Sequence, residues 1–329
     1  MSAGGRQATG GSGGGRQPTG GSGGSDAVIA TAGLTKYYGR DRGIVDLDLE
    51  VRRGEAFGLL GPNGAGKTTT IRLLLDLLRA THGQATVLGR DVRRDGVEVR
   101  RRVGFTPGEL FLFDKLTGRE TLRFLAGLRG GVDWAYVGRL ADRLEADLGR
   151  RVGELSTGNK RKLSLIQAFM HRPELLILDE PTAGLDPLMQ NEFDRLIDEA
   201  REEGQTVFLS SHVLPEVRRL CDRVGFVRDG ELVAVEDVAM LLRRQVRELD
   251  LVLGATVPAD LFTGIPGVLQ AEIDGVHVHL HVSGSFDEVF QRALPHGIVD
   301  VSSREPDLDE VFLTFYGRAS AGASTEGER

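Results

Sequence analysis

Residues 61–69 read Gly-Pro-Asn-Gly-Ala-Gly-Lys-Thr-Thr and fit the pattern GxxxxGK[ST] at Gly61, Gly66, Lys67 and Thr68. Glycine-rich backbone lets successive N–H groups converge on an anion, a lysine brings charge to the outer phosphates, and the threonine hydroxyl can join a Mg²⁺ shell. Pro62, Asn63, Gly64 and Ala65 complete the loop, and Thr69 continues from it, so the candidate phosphate-binding residues run from Gly61 to Thr69. The second segment, Leu175-Leu176-Ile177-Leu178, is an apolar run of strand length that ends in Asp179-Glu180. Neighbouring strand residues point to opposite faces, so the two acids can do different work. Asp179 suits the Mg²⁺ shell, and Glu180 can polarise a water for in-line attack on a γ-phosphate. An apolar run with an acidic end is common by itself; beside the loop it implies binding and hydrolysis of a nucleoside triphosphate.

The surrounding sequence supplies the elements that such chemistry needs. Ala56–Leu60 reads as a short buried strand, and Ile71, Leu74, Leu75 and Leu78 predict a helix over 69–80, so the loop joins a strand to a helix N-terminus. Residues 44–51 alternate apolar and polar, the mark of a half-buried strand. From 120 to 148 the period becomes helical, carried by Leu122, Phe124, Leu125, Leu128, Trp134, Val137, Leu140, Leu144 and Leu148. After Val238 the pattern turns to smaller strands, with Leu249, Leu251 and Leu253 and then Val276, Val278, Leu280 and Val282 alternating, and 308–316 reads as a closing helix.

Three further segments, in order, make the chain resemble the nucleotide-binding subunit of an ATP-binding cassette (ABC) transporter, from about Val28 to Gly317. Leu155-Ser156-Thr157-Gly158-Asn159 resembles the family's LSGGQ signature, Ala183-Gly184-Leu185-Asp186 its D-loop, and Ser210-Ser211-His212 its switch-histidine segment. The resemblance implies an α/β fold of P-loop NTPase type: a mixed-sheet core, an antiparallel β subdomain and a helical subdomain at about 105–165. The cassette would occupy 27–238, between a Gly/Ser-rich tail at 1–26 and an accessory α/β domain at 239–317, with a second tail at 318–329. It further implies ATP and Mg²⁺ as ligands, a second cassette as partner, and separate transmembrane permease subunits that would hold the chain at the cytoplasmic face of the membrane. Ser156 and Gly158 would then close over the ATP of the partner cassette, Asp186 would belong to the nucleotide-binding set, and His212 would contact the γ-phosphate and orient the water. Tyr38 matches the aromatic on which adenine stacks, although a packing role, or Tyr37 in its place, fits the same residues. The C-terminal segment 305–313 is similar to the accessory domain of drug-exporter ATPases of the daunorubicin-resistance type. One position departs from the family: where a glutamine is usual, Thr106-Pro107 is followed by Gly108-Glu109, so either Glu109 or water would have to complete the metal shell.

Composition narrows the alternatives. A net charge of −7 argues against a general nucleic-acid binder. The dense arginines between 93 and 102 read as a solvated helix face. The single cysteine, Cys221, excludes an internal disulfide and reads as a buried small residue. No run of about 18 apolar residues occurs, and residues 1–25 hold a decapeptide repeat without a hydrophobic core, so neither a membrane span nor a signal peptide is expected. The rival reading is a soluble ABC-type ATPase that regulates, or serves translation or nucleic acids, without a permease. Two local features stay open. Leu110-Phe111-Leu112-Phe113 reads either as core or as an exposed permease contact, and His277, His279 and His281, about 7 Å apart on one strand face, read as a solvated face or, alternatively, as metal ligands.

Overall fold

The computed structural model describes residues 26–110, 112–243 and 246–304. The decapeptide repeat, Phe111, the helix expected over 308–316 and the C-terminal tail lie outside those residues. In chain order the first part runs β1 (Ala27–Tyr38), β2 (Asp41–Leu47), β3 (Glu50–Arg52), β4 (Ala56–Leu60), α1 (Lys67–Leu74), β5 (His82–Val87), β6 (Arg90–Asp91), α2 (Gly96–Arg102) and β7 (Val103–Thr106). Then come α3 (Gly118–Gly127), α4 (Trp134–Arg143), α5 (Thr157–Phe169), β8 (Leu175–Asp179), α6 (Pro187–Glu202), β9 (Thr206–Ser211), α7 (Leu214–Leu220), β10 (Arg223–Arg228) and β11 (Glu231–Asp237). The remainder is α8 (Val238–Arg243), β12 (Val246–Leu253), β13 (Val268–Asp274), β14 (His277–Ser283), α9 (Asp287–Ala293) and β15 (Ile298–Arg304).

The central sheet has the order β11-β10-β4-β9-β8-β7, parallel except for the antiparallel β10–β11 pair at one edge. Strands β4, β8 and β9 are buried along their whole length, which is why they read as continuous apolar runs without alternation. Their side chains divide strictly by parity. Leu175 and Ile177 join Phe57, Leu59 and Phe208 in one core with α1 and the antiparallel sheet, whereas Leu176 and Leu178 join Ala56, Leu60, Val207 and Leu209 in a second core under the α3–α7 helices. The register sets Asp179 opposite Ser210 and Leu60 opposite Ser211, so the carboxyl ends of three strands open into one crevice.

An antiparallel sheet of order β2-β1-β5-β6, with β3 also on β1, covers the first core. The continuous strand expected over 44–51 is two strands. Asp46 adopts a left-handed φ of 47°, and the Asp48 carboxylate accepts the Gly33 N–H at 2.6 Å, so the chain crosses from one half of β1 to the other. The helix expected over 69–80 also ends early, at Leu74. Asp76 enters the left-handed region at φ 53°, and its carboxylate lies 3.2 Å from Arg79 and 3.8 Å from Arg100. The arginines of α2 are not simply a solvated face: Arg100 donates to the Leu75 carbonyl at 2.8 Å and Arg102 makes a two-pronged pair with Glu174.

In the helical region Leu122, Val137, Leu140, Leu144 and Leu148 are buried, but Phe124, Leu128 and Trp134 are exposed. A capping box between Thr117 and Glu120 starts α3, and the Asp133 carboxylate starts α4. The last part is a four-stranded antiparallel sheet of order β13-β14-β12-β15, whose core contains Leu249, Leu251, Leu253, Phe262, Val278, Leu280 and Val282. Among the described residues, no helix is long and apolar enough to cross a membrane. Cys221 is buried, and burial holds its thiol pKa well above the usual range.

Candidate active site

The loop from Gly61 to Thr69 links β4 to α1. It passes so close to β10 that a Cβ on Gly61 would lie 2.2 Å from the Val227 carbonyl oxygen, and Gly66 takes φ 104° against Ile44 and Gly43. Side chains are therefore excluded at both positions. The backbone N–H groups of Asn63, Gly64, Gly66, Lys67, Thr68 and Thr69 make no hydrogen bond among the described residues. They cluster at a helix N-terminus, which is an anion-binding arrangement. The Lys67 ammonium, 5% exposed, donates to the carbonyls of Gly61 at 2.8 Å and Pro62 at 3.1 Å.

Parity on β8 sends Asp179 to the α1 side. Its carboxylate accepts the Thr68 hydroxyl at 2.8 Å and, from the next strand, the Ser210 hydroxyl at 2.5 Å. Glu180, one residue on, stands at φ 47° with its N–H donating to Ser210. This left-handed conformation is costly for a glutamate. It places Oε1 3.5 Å from Lys67 Nζ and 3.3 Å from His212 Nδ1. Two oxygen donors, Thr68 and Asp179, thus stand together beside a carboxylate, an imidazole and an ammonium. Hard oxygen donors of this kind fit Mg²⁺.

Tyr38 is half-exposed; its hydroxyl lies 3.3 Å from the Thr69 hydroxyl, and its ring covers Gly43. Tyr37 instead turns its N–H to Thr81. Ser156 caps α5 by accepting from Asn159, and Gly158 packs against the turn at Gly184, leaving room for no larger residue without displacement. Asp186 caps α6, accepting from Leu188 and Met189 at 3.0 Å each. Among the described residues no hydrogen bond joins Ser156, Gly158 or Asp186 to the phosphate loop, to Asp179, to Glu180 or to His212. Gly108 lies directly against Asp179: a Cβ there would be 3.1 Å from Oδ2. Glu109 is exposed.

Two residues at the crevice escape sequence reasoning. Arg161 sits inside the basic run Lys160-Arg161-Lys162, yet it is buried and spans three carbonyls, with Nη1 donating to Pro107 at 2.7 Å, Nη2 to Gly108 at 2.8 Å and Nε to Ala183 at 3.3 Å. Burial pulls its pKa down, and the nearby charges of Asp179 and Glu180 oppose that pull. Glu216 on α7, also buried, accepts the Thr182 hydroxyl at 2.7 Å and the Ser211 hydroxyl at 2.5 Å; burial raises its pKa, and those two bonds restrain the rise. Nothing in the Leu-Pro-Glu context of Glu216 signals such a bridge. The doubled serine at 210–211 is the legible part, because alternation must send one hydroxyl to each face.

The sheet order and the loop define a P-loop nucleoside triphosphatase. The sequence pattern of the ABC transporter family matches residues 44–183. The chain is 34% identical over 306 residues to the bacitracin transport ATP-binding protein of Bacillus licheniformis, an alignment spanning 90% of this chain and 99% of that one. It is 34% identical over 326 residues to the daunorubicin/doxorubicin resistance ATP-binding protein of Streptomyces peucetius, over 91% and 95% of the two chains. Among solved structures, an ATP-binding subunit of an ABC transporter superposes with a TM-score of 0.60 at 29% identity, over 66% of this chain and 92% of the other. A dimeric bacterial ABC transporter cassette superposes at 0.59 with 21% identity, over 64% and 98%, and so shares the fold. The chain belongs to the ABC transporter family, as an ATP-binding subunit that hydrolyses ATP.

Proposed function

We propose that two cassettes enclose ATP between them and that hydrolysis at Glu180 powers export of a hydrophobic drug or metabolite through a separate permease. The observation that carries the catalytic part is the meeting of Glu180 Oε1 with both Lys67 Nζ and His212 Nδ1 beside the Thr68–Asp179 pair. Lys67 leaves the carbonyls of Gly61 and Pro62 for the β- and γ-phosphates, which the free N–H groups of the loop also receive. Thr68 and Asp179 are the residues that would hold Mg²⁺, which when bound offsets phosphate charge. Glu180 accepts a proton from the water that attacks the γ-phosphorus in line with the leaving ADP oxygen. His212, hydrogen-bond distance from Glu180, orients that water and the departing phosphate.

Tyr38 provides the adenine platform at the open side of the loop. Ser156 and Gly158, which make no hydrogen bond to their own phosphate loop among the described residues, reach the nucleotide of the second cassette, with Asp186 as a further nucleotide contact, and this division would leave a single chain incomplete. The dimeric form of a structural relative supports that arrangement.

Bacitracin and daunorubicin, named for two full-length relatives, support the drug-like cargo class. A permease would keep the chain peripheral at the cytoplasmic face, with membrane contact only through it and no nucleic-acid partner. Phe113 and Phe124, exposed and edge-to-face at 5.2 Å, suit the permease contact. Sedimentation of the Glu180→Gln chain with Mg²⁺ and ATP tests the shared pocket: a nucleotide-dependent shift from monomer to dimer is expected. A monomer at saturating ATP, without a mate in its native assembly, contradicts it.

A further inference from the structure

The four-stranded sheet has a second face. Opposite the apolar core, β14 presents His277, His279 and His281, with Glu248 paired across from His281 and Asp250 across from His279 on β12. On the other side Glu272 of β13 also pairs with His279. The core is filled by the intervening Val278, Leu280 and Val282, so packing does not require imidazoles here.

The ligating atoms of Glu248, His279 and His281 all lie within 4.8 Å of one another. Zinc–ligand bonds of about 2.0–2.2 Å set tetrahedral ligand atoms about 3.3 Å apart, so modest side-chain rotation closes the set. The neighbours are arranged as such a set needs. His279 Nδ1 lies 2.6 Å from Asp250 Oδ1. An ionised carboxylate can only accept, so Nδ1 carries a proton, and in the neutral ring that a metal would select Nε2 keeps its lone pair. A carboxylate holding the far nitrogen of a histidine is the usual outer support of a metal-bound imidazole. Arg304 engages Glu248 through Nε at 3.0 Å and Nη2 at 2.7 Å, both on Oε2, which leaves Oε1. His281, half-buried and packed edge-on to His279 at 5.1 Å, has no hydrogen bond among the described residues. A merely solvated polar face accounts for the exposed His277 but not for this trio.

We propose that Glu248, His279 and His281 bind a divalent transition-metal ion of the Zn²⁺ type, with Asp250 positioning His279. Two imidazoles and a carboxylate suit Zn²⁺, and water completes the fourth position. Binding would clamp β12 to β14 and stiffen the C-terminal sheet, giving this part of the chain a ligand unrelated to ATP.

The test uses the full chain stripped with chelator and titrated with Zn²⁺ by calorimetry in excess Mg²⁺, with histidine ring resonances followed by NMR. One Zn²⁺ per chain should bind, shift the His279 and His281 signals, and raise the thermal midpoint. His281→Ala should weaken binding more than tenfold while leaving the zinc-free midpoint unchanged, Glu248→Gln should weaken it comparably, and Asp250→Asn should weaken it by about 10–100-fold. Absence of saturable binding, equal affinity in His281→Ala, or shifts confined to other histidines would overturn the proposal.

Discussion

Arg161, only 4% exposed, donates from Nη2 to the carbonyl oxygen of Gly108 at 2.8 Å. With its bonds to Pro107 and Ala183, it fastens the segment after β7 to the turn after β8 from within α5. Those two segments flank Asp179 and Glu180, so Arg161 ties α5 to the backbone on either side of the two carboxylates.

Arg161→Ala strands three carbonyls. A buried polar group without a partner costs about 1–3 kcal/mol, so a clear fall in the denaturation midpoint is expected together with loss of ATPase activity. Arg161→Lys, which can renew part of the set, should recover stability more than turnover. Equal turnover in all three proteins would show that this tie does not serve hydrolysis.

Gly108 touches the Asp179 carboxylate where a side chain would begin. Gly108→Ala is expected to displace Oδ2 by a few tenths of an ångström and to raise the Mg²⁺ concentration needed for half-maximal hydrolysis, at a stability cost of about 1 kcal/mol. Titrating Mg²⁺ at saturating ATP checks this; an unchanged midpoint would show that the contact is slack.

His171 titrates far below its usual range. Burial, and then the Arg129 guanidinium 2.9 Å from Nε2, lower its pKa from 6.5 to about 4. The unfolded chain therefore takes up a proton near pH 6.5 that the folded chain refuses. Stability is full above that value and falls as the pH drops toward 4, by about 1.4 kcal/mol for each pKa unit of difference at most. Urea midpoints between pH 7.5 and 4.5 should show this slope, and His171→Gln should flatten it.

Phe113 and Phe124 meet edge-to-face on the exposed surface. Replacing both with serine is expected to change stability by only about 0.5 kcal/mol and to spare the ATPase activity of the isolated subunit. In the assembled transporter the same change should uncouple hydrolysis from export. Cysteines at Leu110, Leu112 and Phe113 should crosslink to the permease; failure of every pair in a working complex would exclude this surface.

The phosphate loop and the two acids are legible because local sequence alone builds them: an apolar run fixes a buried strand, and the loop needs its glycines wherever it occurs. Arg161 is hidden for the opposite reason. Its neighbours Lys160 and Lys162 give it the look of a solvated charge, and only the approach of the β7 and β8 ends reveals the carbonyls it serves. Glu216 is the same case, since its partners lie 5 and 34 residues away. The early end of α1 coincides with a tertiary contact, Asp76 with Arg100 of α2, that competes with a good helical pattern. Phe124, Leu128 and Trp134 share that pattern's period yet lie on the face that the helical region leaves uncovered.

Glu180, held in a left-handed conformation between Lys67 and His212, is the base we assign to ATP hydrolysis. Steady-state phosphate release by the wild-type and Glu180→Gln chains, at equal nucleotide occupancy, tests it most directly. A fall of about 10²–10⁴-fold with ATP still bound is expected; wild-type turnover in the variant would remove Glu180 from that role.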